Sequence, residues 1–305
     1  MNANIVKAHL GLLAAGSMWG LMAPVGKLAM DSGISNLSLA AMRMVGAAIC
    51  FWIASLFAPK EKVSSRDFML LFFAALLSIV FNQGIFIVGL SLTSPVDASI
   101  ITTSLPVTTM ILAALFLKEP VTVTKVTGVL MGTVGALILI LSNQGGSGGT
   151  GNSLGNILCL IAQTSFACYL TIFKGLISRY NIFTLMKWMF TYASICFIPF
   201  SFNDLTYTIH QSFPVKVWLE VGYVVLFGTF IAYIFMLFGQ KTLRPTIVSM
   251  YNYVQPIVGA SVSVLIGIGT FGWAKASASL LIFAGVYVVT KSKSRNQIIE
   301  DKKKV

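Results

Sequence analysis

Apolar runs of about twenty residues recur from one end of the chain to the other and leave it little else to fold into. A helix rises about 1.5 Å per residue and the hydrocarbon core of a bilayer is about 30 Å thick, so a run of about 20 apolar residues makes one crossing. Ten such runs read from the sequence: 8–30, 37–57, 68–92, 95–117, 123–142, 154–177, 183–202, 217–239, 246–268 and 274–291. They take up most of the 305 residues and leave no room for a separate soluble domain. A transmembrane barrel would show short alternating segments instead. Composition agrees, with 56% hydrophobic and 10% charged residues, against about 25% charged in soluble domains. The expected class is an all-α integral membrane protein of ten transmembrane helices. A soluble enzyme, a disordered chain and a disulfide scaffold do not fit.

The punctuation between runs is consistent with this reading. Pro59 with Lys60, Glu61 and Lys62 closes the second run, and Lys118-Glu119-Pro120 closes the fourth. Residues 143–153 are rich in Gly and Ser and uncharged, which reads as a flexible extracytoplasmic linker between two halves. The first run passes Trp19 and continues to about Met30, too long for a signal-peptide core, so it is kept as a span. With ten spans and a cytoplasmic N-terminus, fifteen of the 21 Lys and Arg fall in cytoplasmic loops and tails. Lys216 and Lys275 are the two outside, and Lys27, Arg43, Lys174 and Lys187 lie within or at the edges of spans. That bias sets the orientation, with both termini cytoplasmic. It also accounts for the net charge of +12. The basic residues follow the loops, so no nucleic-acid partner is expected, whereas the basic tail at 292–305 suits anionic membrane lipid.

The chain also repeats itself. Pro95 and Pro106 recur as Pro245 and Pro256 at an offset of 150, together with Gly89 and Gly239, Ser99 and Ser249, and Gly135 and Gly285. At an offset of 147, Ser17, Trp19, Gly20 and Lys27 match Thr164, Phe166, Ala167 and Lys174. The expected halves are 1–142 and 154–291. Five spans per half is an odd number, so the second half enters the membrane from the opposite side. Such inverted repeats are typical of secondary transporters, whose two halves exchange conformations around one site.

Span 1 reads Met18-Trp19-Gly20-Leu21-Met22-Ala23-Pro24-Val25-Gly26-Lys27. Further on come Ala98-Ser99-Ile100, Leu105-Pro106-Val107 and Leu117-Lys118-Glu119-Pro120, then Ile231-Ala232-Tyr233, Ser249-Met250-Tyr251 and Gln255-Pro256-Ile257. In order, spacing and repetition this resembles the EamA-type branch of the drug/metabolite transporter superfamily across nearly the whole chain. The resemblance implies ten helices, cytoplasmic termini, a central substrate cavity and export of small organic metabolites such as amino acids from a bacterial inner membrane. One departure stands out: the acid Glu119 in the first half is matched by Gly269 in the second.

Candidate substrate-binding residues are the polar and aromatic groups at mid-span. If spans 4 and 9 are continuous helices, Ser99, Thr102, Thr103 and Pro106 share one face, as do Ser249, Asn252, Tyr253 and Pro256. Polar groups at that depth need protein, ligand or water as partners, so each lines a cavity or serves as glue between helices. Asn82 and Gln83 are adjacent amides in an apolar run, with Ala232 and Tyr233 as their repeat partners. Trp19 and Met22 on span 1 and Gln163 and Tyr169 on span 6 add aromatic and polar walls, or else core. Arg43 has three readings: holding a helix end, pairing with Asp97, or attracting an anionic substrate. Lys27, Lys174 and Lys187 are expected to snorkel.

No catalytic residues, cofactor or metal site are expected. The nine acids fall in loops, tails or span ends, and there is no P-loop and no HExxH. Cys50, Cys159, Cys168 and Cys196 sit in apolar runs without CxxC spacing, and His9 and His210 are far apart in sequence. Without a titratable group at mid-span, facilitated diffusion or exchange is expected rather than proton coupling. A receptor or sensor, and an enzyme acting on a lipid-linked substrate, are the alternatives to a transporter. The stripe Gly128, Gly132 and Gly135 packs within or between chains, which leaves monomer and homodimer both open.

Overall fold

The structure, a computed structural model, describes residues 3–93, 98, 101–142, 153–265 and 273–293. Ser99, Asp97, Gly269, the linker from 143 to 152 and the tail from 294 lie outside the described residues. Among the described residues all regular structure is helical. Among the described residues six helices are long and apolar enough to cross a membrane: Ala3–Asp31, Asn36–Ser55, Ser65–Leu90, Ser153–Ile172, Ile182–His210 and Val215–Thr242. Shorter apolar helices cover Leu105–Leu117, Val123–Ile138 and Ala276–Lys291.

Two compact units are described separately, and each draws on both sides of the linker. The first comprises Met1–Ile87 and Phe173–Thr242. It contains α1 (Ala3–Asp31), α2 (Asn36–Ser55) and α3 (Ser65–Ala75), which runs through a π-helical stretch Leu76–Ile85 into the first residues of α4 (Phe86–Leu92), whose remainder from Val88 belongs to the second unit. It also holds α8 (Lys174–Arg179), α9 (Ile182–His210) and α10 (Val215–Val225), which runs through a second π-helical stretch Leu226–Ile231 into α11 (Ala232–Thr242). Polar caps start several of these helices. Ser35, Ser64 and Asn181 accept from the backbone N–H groups of Ser38, Asp67 and Phe183, satisfying donors that have no partner inside the helix. Gly33 ends the turn after α1 at φ 109, a left-handed conformation that glycine adopts without steric cost. Helix α9 packs along α2 and α3, while α1 packs against α10 and α11. At one end of this unit Asp67 accepts from the Tyr180 hydroxyl at 2.6 Å and pairs with Arg179 at 3.2 Å. Lys241 donates to the Tyr180 carbonyl, and Glu61 accepts from the Asn181 N–H at 2.7 Å.

The second unit comprises Val88–Ile172 and Leu243–Val305. It contains α5 (Leu105–Leu117), α6 (Val123–Ser142), α7 (Ser153–Ile172), α12 (Pro245–Met250), a 3₁₀ turn Tyr251–Tyr253, α13 (Val254–Leu265) and α14 (Trp273–Lys291). Helices α6 and α14 pack along each other. A Cβ on Gly285 would stand 2.6 Å from the Gly128 carbonyl oxygen, so the glycines permit backbone-to-backbone approach. The Gly128 stripe therefore packs inside the chain and gives no argument for a dimer. Glu119 pairs with the fully buried Lys125 at 2.8 Å and accepts from Thr246 at 3.2 Å, tying α5, α6 and α12 together. Arg244 donates to the Ser292 carbonyl at 2.9 Å. Burial pulls its guanidinium below the ordinary arginine value while the Glu119 carboxylate pulls it back up, and it stays a cation.

The expected shared faces of spans 4 and 9 need correction. Neither span is a continuous α-helix. The chain turns at Thr103 and Ser104 before α5, and it tightens into the 3₁₀ turn before α13. Proline has no N–H and its ring clashes with the carbonyl four residues back. For Pro106 that residue is Thr102, and for Pro256 it is Asn252. Each break therefore falls where a proline destabilises regular helix.

Candidate functional site

In the first unit the π-helical stretches position the polar groups. A π-helix widens the backbone turn and is frequent at functional sites. The stretches begin at Leu76 and Leu226, 150 residues apart. The first carries Asn82 and Gln83, and the second carries Gly228 and Thr229 with Tyr233 just beyond. The Gln83 amide N–H donates to the Tyr233 hydroxyl at 3.0 Å. Its Oε1 is buried with no hydrogen-bond partner among the described residues. The Trp19 indole N–H donates to the Gly228 carbonyl at 3.0 Å, and its ring meets Tyr233 edge-on at 5.8 Å. Phe190 packs against the other side of Tyr233, with ring centroids 5.0 Å apart. The side chain of Met22 lies over Gly228, where an added Cβ would stand 2.8 Å from its sulfur.

Arg43 joins this cluster from α2. Its Nε donates to the Thr229 hydroxyl at 3.1 Å, and that hydroxyl donates to the Val224 carbonyl at 2.8 Å, five residues back along the widened helix. Trp19, Met22, Gln83 and Tyr233, all candidates from the sequence, lie together with Arg43, for which the sequence left three readings, and Gly228 and Thr229 are additions. A cation inside an apolar span was the available signal for Arg43. Nothing in the sequence marked Thr229, because its hydroxyl reaches Arg43 from a helix whose π geometry was not legible.

In the second unit Tyr253 is buried, donates to the Thr103 carbonyl at 3.0 Å, and shares a 2.8 Å hydrogen bond with the Thr133 hydroxyl. Asn252 accepts from the Gln255 amide, and Ser249 bonds to the Thr246 carbonyl of its own helix at 2.9 Å. Thr102 is partly buried and Gln163 buried on α7. Tyr169 is fully buried and stacks on Phe166, with centroids 5.8 Å apart. Ser99 lies outside the described residues. Among the described residues no group of three or more His, Cys, Asp or Glu could hold a metal ion.

The sequence model of the EamA-like transporter family matches residues 6–141 and 153–291. The chain belongs to this family. Among its relatives is a WAT1-related protein of Arabidopsis thaliana, 22% identical over 317 residues, an alignment covering 92% of this chain and 83% of that protein. The uncharacterized transporter YetK of Bacillus subtilis is 20% identical over 292 residues, covering 94% and 88%. A crystal structure at 18% identity superposes with a TM-score of 0.76 over 93% of this chain and 96% of the other, a likeness of fold. As an EamA-like protein with six apolar helices of spanning length, the chain is a multi-pass membrane transporter.

Proposed function

We propose that this transporter exports small organic metabolites such as amino acids across a bacterial inner membrane. It would work by alternating access, with ten helices in two inverted five-helix repeats and both termini cytoplasmic. The observation that carries the reading is the pairing of helix irregularities at one offset. The π-helical stretches begin at Leu76 and Leu226. The breaks before Pro106 and Pro256 are 150 residues apart, as are the hydrogen-bonded pairs Gln83 with Tyr233 and Thr103 with Tyr253. Interrupted helices in matching places of two halves are how secondary transporters build substrate sites from backbone and side-chain polar groups. The basic loops support the orientation, and the family supports transport.

The substrate wall proposed in the first unit is Trp19, Met22, Asn82, Gln83 and Tyr233, with Thr102, Thr103, Gln163, Tyr169, Asn252 and Tyr253 as the candidates of the second. The test is efflux of labelled amino acids from loaded proteoliposomes. Saturable efflux absent from empty liposomes is expected. Saturable binding with no flux for any compound would favour the receptor reading instead.

A further inference from the structure

We propose that Arg43 reads a carboxylate on the substrate, so that the transported class is small organic acids, including zwitterions, rather than neutral or purely cationic solutes. This rests on the transporter reading above and narrows its substrate.

A guanidinium carries five N–H donors in a rigid fork that matches the two oxygens of a carboxylate. In Arg43 the Nε–H is used by Thr229. The Nη1 and Nη2 groups have no hydrogen-bond partner among the described residues, and no described carboxylate lies within ion-pair distance. Three other cations do have one: Lys125 has Glu119, Arg179 has Asp67, and Lys27 has Asp31. Arg43 sits seven residues into α2, about 10 Å from its start. A cation held at such a depth is costly unless something anionic or strongly polar meets it.

The anchoring is what a recognition group needs. Thr229 holds the Nε edge, and Thr229 is itself fixed to the Val224 carbonyl by the π-helical geometry. That leaves the two-pronged end of the fork for a ligand. Arg43 is half-buried. The neighbours suit a small amphipathic acid. Tyr233 lies close enough to interact with the Arg43 charge, and Trp19 packs on Tyr233. The Gln83 amide that bonds this tyrosine has its Oε1 without a partner among the described residues, an acceptor for an N–H of the substrate.

The test uses the purified full chain at neutral pH and matched compounds: L-phenylalanine and L-leucine against L-phenylalaninamide and L-leucinamide. Binding is read by thermal shift and flux in proteoliposomes. The acids should bind and the amides should not. Arg43→Gln should weaken the acids about 10- to 150-fold, the loss expected for a hydrogen bond to a charged partner, and erase the preference for acid over amide. Arg43→Lys should keep part of the preference, since it retains the charge without the fork. Should Arg43→Gln fail to fold, Thr229→Val loosens the fork and should weaken the acids selectively. Asp97→Asn should leave the preference intact. Amides binding as well as acids, no saturable response to either acid, a preference that survives Arg43→Gln, or a preference lost equally in Asp97→Asn would each overturn the assignment. Acid binding without flux would refute transport and leave Arg43 standing. Flux of amides equal to that of acids would do the reverse.

Discussion

Gln83 puts a buried carbonyl oxygen without a described partner beside two aromatic rings in an otherwise apolar helix. Losing one hydrogen bond to a substrate costs about 1–3 kcal/mol, roughly a 5- to 150-fold loss of affinity. Gln83→Leu and Asn252→Leu are therefore expected to weaken transport by that order while folded yield stays near wild type. Uptake assays at matched protein levels check this, and unchanged uptake in both variants would remove the site assignment. The adjacent amides Asn82 and Gln83 were legible because amides seldom occur in apolar runs. Tyr253 was legible as a polar group, but its use was not. Its hydroxyl is taken up by Thr103 and Thr133, and Thr133 is 120 residues away in sequence, a contact that no periodicity encodes. Lys27, expected to snorkel, is exposed and paired with Asp31 at 2.8 Å.

Six described helices of spanning length coincide with apolar runs of the sequence, and caps such as Ser64 and Asn181 start two of the helices. Helix interiors were harder to read. The π-helical stretches at Leu76–Ile85 and Leu226–Ile231 carry no proline, and the amides Asn82 and Gln83 in the first do not by themselves encode a widened turn. The sequence places prolines 106 and 256 on the faces of continuous helices, whereas regular α-helix is interrupted at Thr103–Ser104 and at the 3₁₀ turn Tyr251–Tyr253. Between elements, the Glu119–Lys125 pair is the most exposed to test. Its side chains are 10% and 1% accessible, so removing one partner leaves a buried charge unmatched. Glu119→Gln is expected to destabilise the protein by about 3–5 kcal/mol, and Glu119→Leu with Lys125→Met to recover most of it. Unfolding in detergent measures both. A double variant as unstable as Glu119→Gln would show that the pair does more than satisfy its own charges.

For the whole molecule, the loop charges predict the orientation directly. Single cysteines near Ser147 should react with an impermeant thiol reagent from outside the cell, and one near Lys303 should not. The reverse pattern would overturn the ten-span count or its orientation. Energy coupling is the next expectation. With no carboxylate among the described residues paired to the Arg43–Gln83–Tyr233 cluster, substrate flux at zero membrane potential should not require a pH gradient. Strict dependence on the gradient, abolished by Asp97→Asn or by Glu220→Gln, whose Oε2 is buried without a described partner, would place a proton in the cycle. Alternating access itself is tested most directly by counterflow. Proteoliposomes loaded with unlabelled L-phenylalanine are diluted into a trace of labelled L-phenylalanine. A carrier with one site that faces each side in turn should accumulate label transiently above equilibrium. Label that only rises to equilibrium, at a rate indifferent to the internal load, would contradict the account.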